Sequence, residues 1–412
     1  MSELKILSVS PSYYPAVEFG GPVTALRSLN KHLKDLNSEI SVVTTTSGIE
    51  SFENKYRLEL VDGIQVNYFP TSRIFETLTP TGWQFSISLL LHLLKYAKNF
   101  DVIYCRSLWN FPTIACYLAS IFNRKPLIIA ATGKLTPKAF AIKSRKKRFF
   151  WNLLFSRLVR HANIHYVSEK EKLISEENIG IYGNGLVIET GTDLIQDDHR
   201  KISSSLKFSQ MSQDTKKILF LGRVHPIKGL DLLVEMYSKV LRSEPDVALI
   251  ISGPYEGNYH LKLKKIIQDL GLSFIETQPH FLKSADIAGK VVFTGSVAGE
   301  VKNWILSSAD IYCQLSISEG FSNSIIEAMA FSKPIVISKG CNFNHPDLHS
   351  FGFIVNDSSS AAEHILDLLR NEIKRAQYSE AAWTHVTQIY TWKEIAKKAH
   401  NLFQRISIDG KR

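Results

Sequence analysis

Short runs of β-branched and aliphatic residues alternate with helix-like stretches along this 412-residue chain. Strands separated by helices cannot pair as tight hairpins. They pair in parallel, and a parallel sheet needs helices over both faces. In the first half the strand-like runs are Lys5–Ser10, Glu39–Thr44, Ile64–Phe69, Asp101–Cys105, Pro126–Ala130, Asn163–Val167 and Leu186–Glu189. In the second they are Lys217–Leu221, Val247–Ser252, Lys290–Thr294, Asp310–Gln314, Lys333–Ile337 and Gly352–Val355. Between the two series, Gln196–Asp214 is polar and carries Ser203, Ser204 and Ser205 in a row, which reads as a linker. The expectation is an α/β chain in two parts, each large enough for its own core. They are a domain over 1–197, a linker over 198–214 and a domain over 215–389. An amphipathic tail over 390–406 carries the apolar stripe Ile395, Ala399, Leu402, Phe403 and Ile406.

Composition agrees with a globular chain: 44% hydrophobic and 21% charged residues are ordinary. Cys105, Cys116, Cys313 and Cys341 have no metal-ligand or CxxC spacing and lie in or beside apolar runs, as free thiols in a reducing compartment would. The chain enters a strand at Leu4, which leaves no room for a signal peptide. Its longest apolar stretch, Phe85 to Leu94, is too short to span a bilayer. These features predict a protein of the cytoplasmic side.

Two motifs carry chemistry. The first is Ser318-Glu319-Gly320-Phe321-Ser322-Asn323-Ser324-Ile325-Ile326-Glu327, set between a strand-like run and a helix-like one. Such a loop lies at the carboxyl end of a parallel strand, where ligands bind, and the amides that open the helix can hold an anion. Two carboxylates flanking those amides suit a sugar joined to a nucleoside through a diphosphate. A capping box at Ser324-x-x-Glu327, or the acid and nucleophile of a glycosidase, is the alternative. The second motif, Gly222-Arg223-Val224-His225-Pro226-Ile227-Lys228-Gly229, brings two cations to another strand end. A departing diphosphate needs that charge.

In this order, the two motifs resemble glycosyltransferase family 4. Gly20-Gly21-Pro22 is similar to the family's amino-terminal glycine loop, and Ile251-Ser252-Gly253 and Phe293-Thr294-Gly295 match further strand ends. The resemblance covers nearly the whole chain. It implies the GT-B fold, two Rossmann-like domains facing a cleft with the tail over 390–406 packed back on the first, and a retaining, metal-independent transferase of nucleoside-diphosphate sugars. It implies that Arg223 and Lys228 neutralise the leaving diphosphate. Glu319 would hold the transferred sugar and Glu327 the ribose. Gly20, Gly21, Gly222, Gly253, Gly320, Phe321, Ser322 and Asn323 would line the donor. No cofactor or metal is expected, and Asp197-Asp198 reads as solvated. Another GT-B enzyme, such as an epimerase or phosphorylase, and a silent nucleotide-sugar binder are the alternatives.

Where many relatives carry a His or Arg, this chain has Thr132. Arg106 and Trp109, after another strand end, are the remaining acceptor candidates, while His161 and His165 read as parts of the fold. No Asp or Glu occurs between Asp101 and Glu169, an interval holding twelve Lys and Arg residues. Its densest part joins cations to Phe149, Trp151, Leu153, Leu154 and Phe155, so residues 143–160 read as a contact with an anionic membrane. A core-facing role for Phe149, Leu153 and Leu154 is the alternative. No nucleic-acid motif accompanies the charge. The expected partners are a nucleotide-sugar donor and a saccharide or lipid-linked acceptor used in surface polysaccharide or lipopolysaccharide synthesis.

Overall fold

The computed structural model describes residues 3–16, 21–52, 54–72, 83–141, 151–194, 215–278, 287–343 and 345–410. They form two compact units, Met1–Gly191 with Trp392–Arg412, and Thr192–Thr391. The boundary falls at 191/192 rather than at 197/198, and the proposed linker over 198–214 lies outside the described residues. Leu194 packs against the second unit's core. Thr192 donates to the Tyr390 carbonyl at 2.7 Å and bridges Thr391, so the chain enters and leaves that unit side by side.

The first unit is built on β1 (Leu4–Val9), β2 (Ser38–Thr45), β3 (Arg57–Val61), β4 (Ile64–Phe69), β5 (Val102–Cys105), β6 (Leu127–Ala130), β7 (Asn163–Tyr166) and β8 (Gly185–Val187). Its sheet order is β3-β4-β2-β1-β5-β6-β7-β8. All its pairings are parallel except β3 with β4. The sequence reading passed over β3. Leu58 and Leu60 are 55% and 74% exposed there, so no buried face marks the strand. The signal it does carry is Asp62-Gly63, both at positive φ (52° and 71°), the two-residue hairpin turn.

The second unit holds β9 (Lys217–Leu221), β10 (Ala248–Ser252), β11 (Ser273–Glu276), β12 (Lys290–Gly295), β13 (Ile311–Gln314), β14 (Ile335–Ser338) and β15 (Gly352–Val355) in the order β11-β12-β10-β9-β13-β14-β15. Every pairing there is parallel. Residues alternate between two cores, as a strand covered on both faces requires. Ile218 and Phe220 join one and Leu219 and Leu221 the other. In both sheets the winding reverses beside the first strand, between β1 and β5 and between β9 and β13. Loops at the carboxyl ends part there and leave a crevice.

The closing helix, Trp392–Asp409, buries Trp392, Ile395, Ala396, Ala399 and Phe403 in the core that also holds Ile6, Leu29 and Tyr104. Lys398 pairs with Glu189 at 2.7 Å, and Ser38 and His400 are hydrogen-bonded at 3.0 Å. Gly191 makes the junction possible, since a Cβ there would lie 2.6 Å from the Trp392 ring. All four cysteines are buried and free. Among the described residues no helix is long and apolar enough to cross a membrane.

Candidate functional site

The two sequence motifs meet because β9 and β13 are neighbours, with Ile218 opposite Ile311 and Leu219 opposite Tyr312. The loop leaving β9 carries Gly222, Arg223 and Lys228, and that leaving β13 carries Ser316, Glu319 and Gly320. The Ile317 N–H donates to the Ile227 carbonyl at 2.8 Å, joining the two. Gly229, at φ +62°, lies so close that a Cβ would stand 2.0 Å from the Leu315 carbonyl oxygen. The loop after β10 closes a third side. Gly222 donates to Ser252 and Val224 to Pro254, both at 2.9 Å. A Cβ on Gly253 would meet the Gly222 carbonyl oxygen at 1.9 Å.

Lys228 Nζ donates to Glu319 Oε1 at 2.6 Å, and each side chain is 13% exposed. The same carboxylate oxygen accepts from Ser316 Oγ at 2.7 Å and Gln314 Nε2 at 3.0 Å. Gln314 Oε1 in turn accepts from Tyr312, Ser322 and Ser324 at 2.7, 2.8 and 3.1 Å. The Ser322 hydroxyl is therefore engaged within the loop. Asn342 donates to the Glu319 carbonyl, and the Glu319 N–H donates to Gly340 at 2.8 Å. So anchored, Glu319 is preorganised with little rotamer entropy left to lose.

Ser322 stands at the N-cap of the helix Asn323–Ala330 but makes no side-chain capping bond. Ser324 lies inside that helix, and Glu327 pairs with Lys302 Nζ at 3.1 Å, so the alternative capping box does not form. Arg223 is paired with Glu256, and these side chains are 58% and 45% exposed. The ring of Phe321 lies 5.9 Å from that of Tyr390 and 6.2 Å from that of Phe343, a packing role for its side chain. Lys302, Glu256, Gln314, Ser316 and Asn342 were not read from the sequence: Lys302, Glu256 and Asn342 meet their partners from other segments of the chain, and Gln314 and Ser316 meet Glu319 only through the local bend of the loop.

On the first unit, the turn over Ser10, Pro11 and Ser12 after β1 and Arg106-Ser107 after β5 line a cavity of about 310 Å³ with Pro22, Thr132 and Lys134. Gly21 opens the adjoining helix, Gly21–Asp35, while Gly20 lies outside the described residues. Arg106 Nε is buried without a hydrogen-bond partner. Thr132 and Gly133 both have positive φ (43° and 79°). Buried Glu171 fixes that turn, accepting from the Gly133 N–H and, at 2.8 Å, from the Val167 N–H. Burial raises the Glu171 pKa against the pull of those donors. Sequence reasoning missed it, because nothing in its own helix marks it. Trp109 does not line this cavity. Its ring packs 4.7 Å from Phe155 and 5.4 Å from Phe140, and its indole N–H donates to the Lys134 carbonyl at 3.2 Å.

Residues 142–150 of the basic segment lie outside the described residues. Of the rest, Phe155, Leu158 and Val159 are buried and Leu153 is 56% exposed. Phe155, read as part of the membrane contact, is thus in the core; of the core-facing alternative, Leu153 is exposed, Leu154 half-buried and Phe149 outside the described residues. Helical phase explains this: Phe155 and Leu158 are three apart, on one face.

Residues 215–371 match the family model described as Glycosyl transferases group 1. An uncharacterised glycosyltransferase of Methanocaldococcus jannaschii is 23% identical over 98% of this chain and 100% of its own length. The GPI3 subunit of the phosphatidylinositol N-acetylglucosaminyltransferase of Saccharomyces cerevisiae is 23% identical over 96% of this chain and 81% of its own. The crystal structure of Anabaena HepE in complex with UDP and glucose superposes with a TM-score of 0.68 at 21% identity, covering 98% of this chain and 100% of that one. Residues 215–371 are therefore similar to the group 1 glycosyltransferases, and the whole chain has the GT-B fold of its structural neighbours.

Proposed function

We propose that the protein transfers a glycosyl group from a nucleoside-diphosphate sugar to a hydroxyl, with the anomeric configuration retained. The observation that carries this is the Lys228–Glu319 pair, two charged groups from separate strand ends held beside the opening of a helix with no side-chain cap. An ion pair of this kind can exchange partners with a ligand that carries both a diphosphate and hydroxyls. Lys228, with Arg223 more exposed beside it, neutralises the departing diphosphate, and the amides at Ser322 and Asn323 bind it. Glu319 orients the transferred sugar and Glu327 the ribose. The charge work is done by these groups without a metal on the diphosphate, so adding Mg²⁺ or Mn²⁺ should not accelerate transfer.

UDP in the HepE complex makes uridine nucleotides the first donors to test, and the yeast relative's name supports a lipid-linked acceptor. The Arg106–Thr132 cavity is the proposed acceptor pocket. Membrane contact fits the exposed Leu153, Arg157 and Arg160, together with Leu118, Ile121 and Phe122 on the helix that His161 touches through Ser120. We place the activity in surface polysaccharide or lipopolysaccharide synthesis at a membrane's inner face. The test is a thermal-shift and calorimetric panel of UDP, GDP, ADP and CMP with their sugars. Product from the binding donor is then examined by proton NMR at the anomeric position. One stabilising diphosphate and a retained configuration support the reading, and an inverted product removes the retaining step. Donor binding without turnover of any acceptor would favour a silent binder.

A further inference from the structure

We infer that His345, Asp347 and His385 form a binding site for one divalent transition-metal ion of the zinc class. The site lies on the second unit and shares no residue with the Lys228–Glu319 junction. One ligating atom from each residue lies within 4.8 Å of the other two. Zinc bonds of about 2.0–2.1 Å at tetrahedral angles place donor atoms about 3.3 Å apart. The three groups therefore need to close by about 1.5 Å at most, within reach of small side-chain rotations.

The second, independent observation concerns His385. It is 7% exposed, yet its Nε2 is buried with no hydrogen-bond partner. A buried polar atom with nothing to bond is costly, and such atoms in folded proteins normally have a partner. The ring is held in place: Phe351 stacks on it at 4.5 Å, and His345 meets it edge-on at 4.1 Å. His345 Nδ1 accepts from the Asp347 N–H at 3.3 Å and lies 3.7 Å from Asp347 Oδ2, so the carboxylate is already on the imidazole's side. An imidazole fixed by packing with one ring nitrogen unpartnered, a second imidazole and a carboxylate are the donor set that imidazole-preferring ions take.

An entry path exists. A cleft of about 430 Å³, lined in part by Asp347, Thr384, His385 and Gln388, reaches two of the three groups. The effect of binding follows from the elements joined. His345 and Asp347 precede the turn Leu348–Ser350, and His385 is on the helix Glu372–Ile389. A bound ion would tie that loop to the helix. The same loop carries Asn342, which bonds the Glu319 carbonyl.

The experiment uses untagged, chelator-treated full-length protein titrated with Zn²⁺ by calorimetry, with Co²⁺ absorption as a second readout. The wild type should bind one equivalent, gain thermal stability from it and show a Co²⁺ ligand-field spectrum. Outer partners of metal ligands are themselves worth 10–100-fold, so His345→Ala should weaken binding at least about 100-fold. Asp347→Asn should weaken it about 10-fold or more, while His349→Ala, an exposed neighbour, should leave it unchanged. Since His385→Ala removes a packed ring and could unfold the unit, the decision rests on His345 and Asp347. No binding by the wild type, or binding unaltered in both variants, overturns the inference.

Discussion

At the scale of single residues, the junction after β9 and β13 gives the sharpest expectation. Glu319→Gln keeps the shape and removes the charge that Lys228, Ser316 and Gln314 converge on. A hydrogen bond to a charged group contributes about 1.5–3 kcal/mol, so nucleotide-sugar affinity should fall roughly 10- to 150-fold in calorimetry. Lys228→Ala should cost at least as much, and the more exposed Arg223→Ala less. Unaltered affinity in both Lys228 and Glu319 variants would remove this junction from the donor site.

His165 provides the pH-dependent residue. Its Nε2 faces the Ile188 carbonyl at 2.7 Å and its Nδ1 the Tyr104 hydroxyl at 3.1 Å, a pairing that suits the neutral imidazole with Nε2 protonated. Burial, with the nearby Arg106 charge, lowers its pKa to about 3. The folded-state value lies below the unfolded one, so its contribution to stability is complete above about pH 6.5 and is lost as pH falls toward 3. At pH 5 the loss should be about 2 kcal/mol in urea unfolding. His165→Gln should flatten the profile in that window, and an unchanged slope would refute the assignment.

Among elements, the loops after β9, β10 and β13 matter as a packed set. Gly229→Ala forces a side chain onto the Leu315 carbonyl at a positive φ. Such strain costs about 1–3 kcal/mol before any clash is relieved. The expectation is a lower urea midpoint together with weaker nucleotide binding, because the loops that hold Lys228 and Glu319 are pushed apart. A variant that binds normally would show that the close approach is dispensable. The glycines and glutamates of this set were legible in the sequence, since a strand end, a glycine and a charge stand next to one another along the chain. Their partners were not. Lys302 reaches Glu327 from another helix, and Asn342 reaches Glu319 from the loop after β14. Strand β3 escaped for a different reason, because an exposed edge strand carries no buried alternation to read.

At the scale of the whole molecule, the C-terminal helix is part of the first unit's core although some two hundred residues of chain, Thr192–Thr391, intervene. Phe403 is fully buried, with its ring 5.1 Å from that of Tyr104. Phe403→Ala should therefore cost about 3–5 kcal/mol in chemical denaturation. A loss below about 1 kcal/mol would mean that the helix is peripheral to that core. By itself the sequence determined the α/β class, the strand ends and the two charged motifs, because hydrophobic period and glycine placement act over a few neighbouring residues. Tertiary structure alone decided which cation meets which carboxylate, that Glu171 secures the Thr132 turn, and that His345, Asp347 and His385 converge. Those contacts join residues distant in the chain, and the sheet order that brings them together is set by burial on both faces of each sheet rather than by any local pattern.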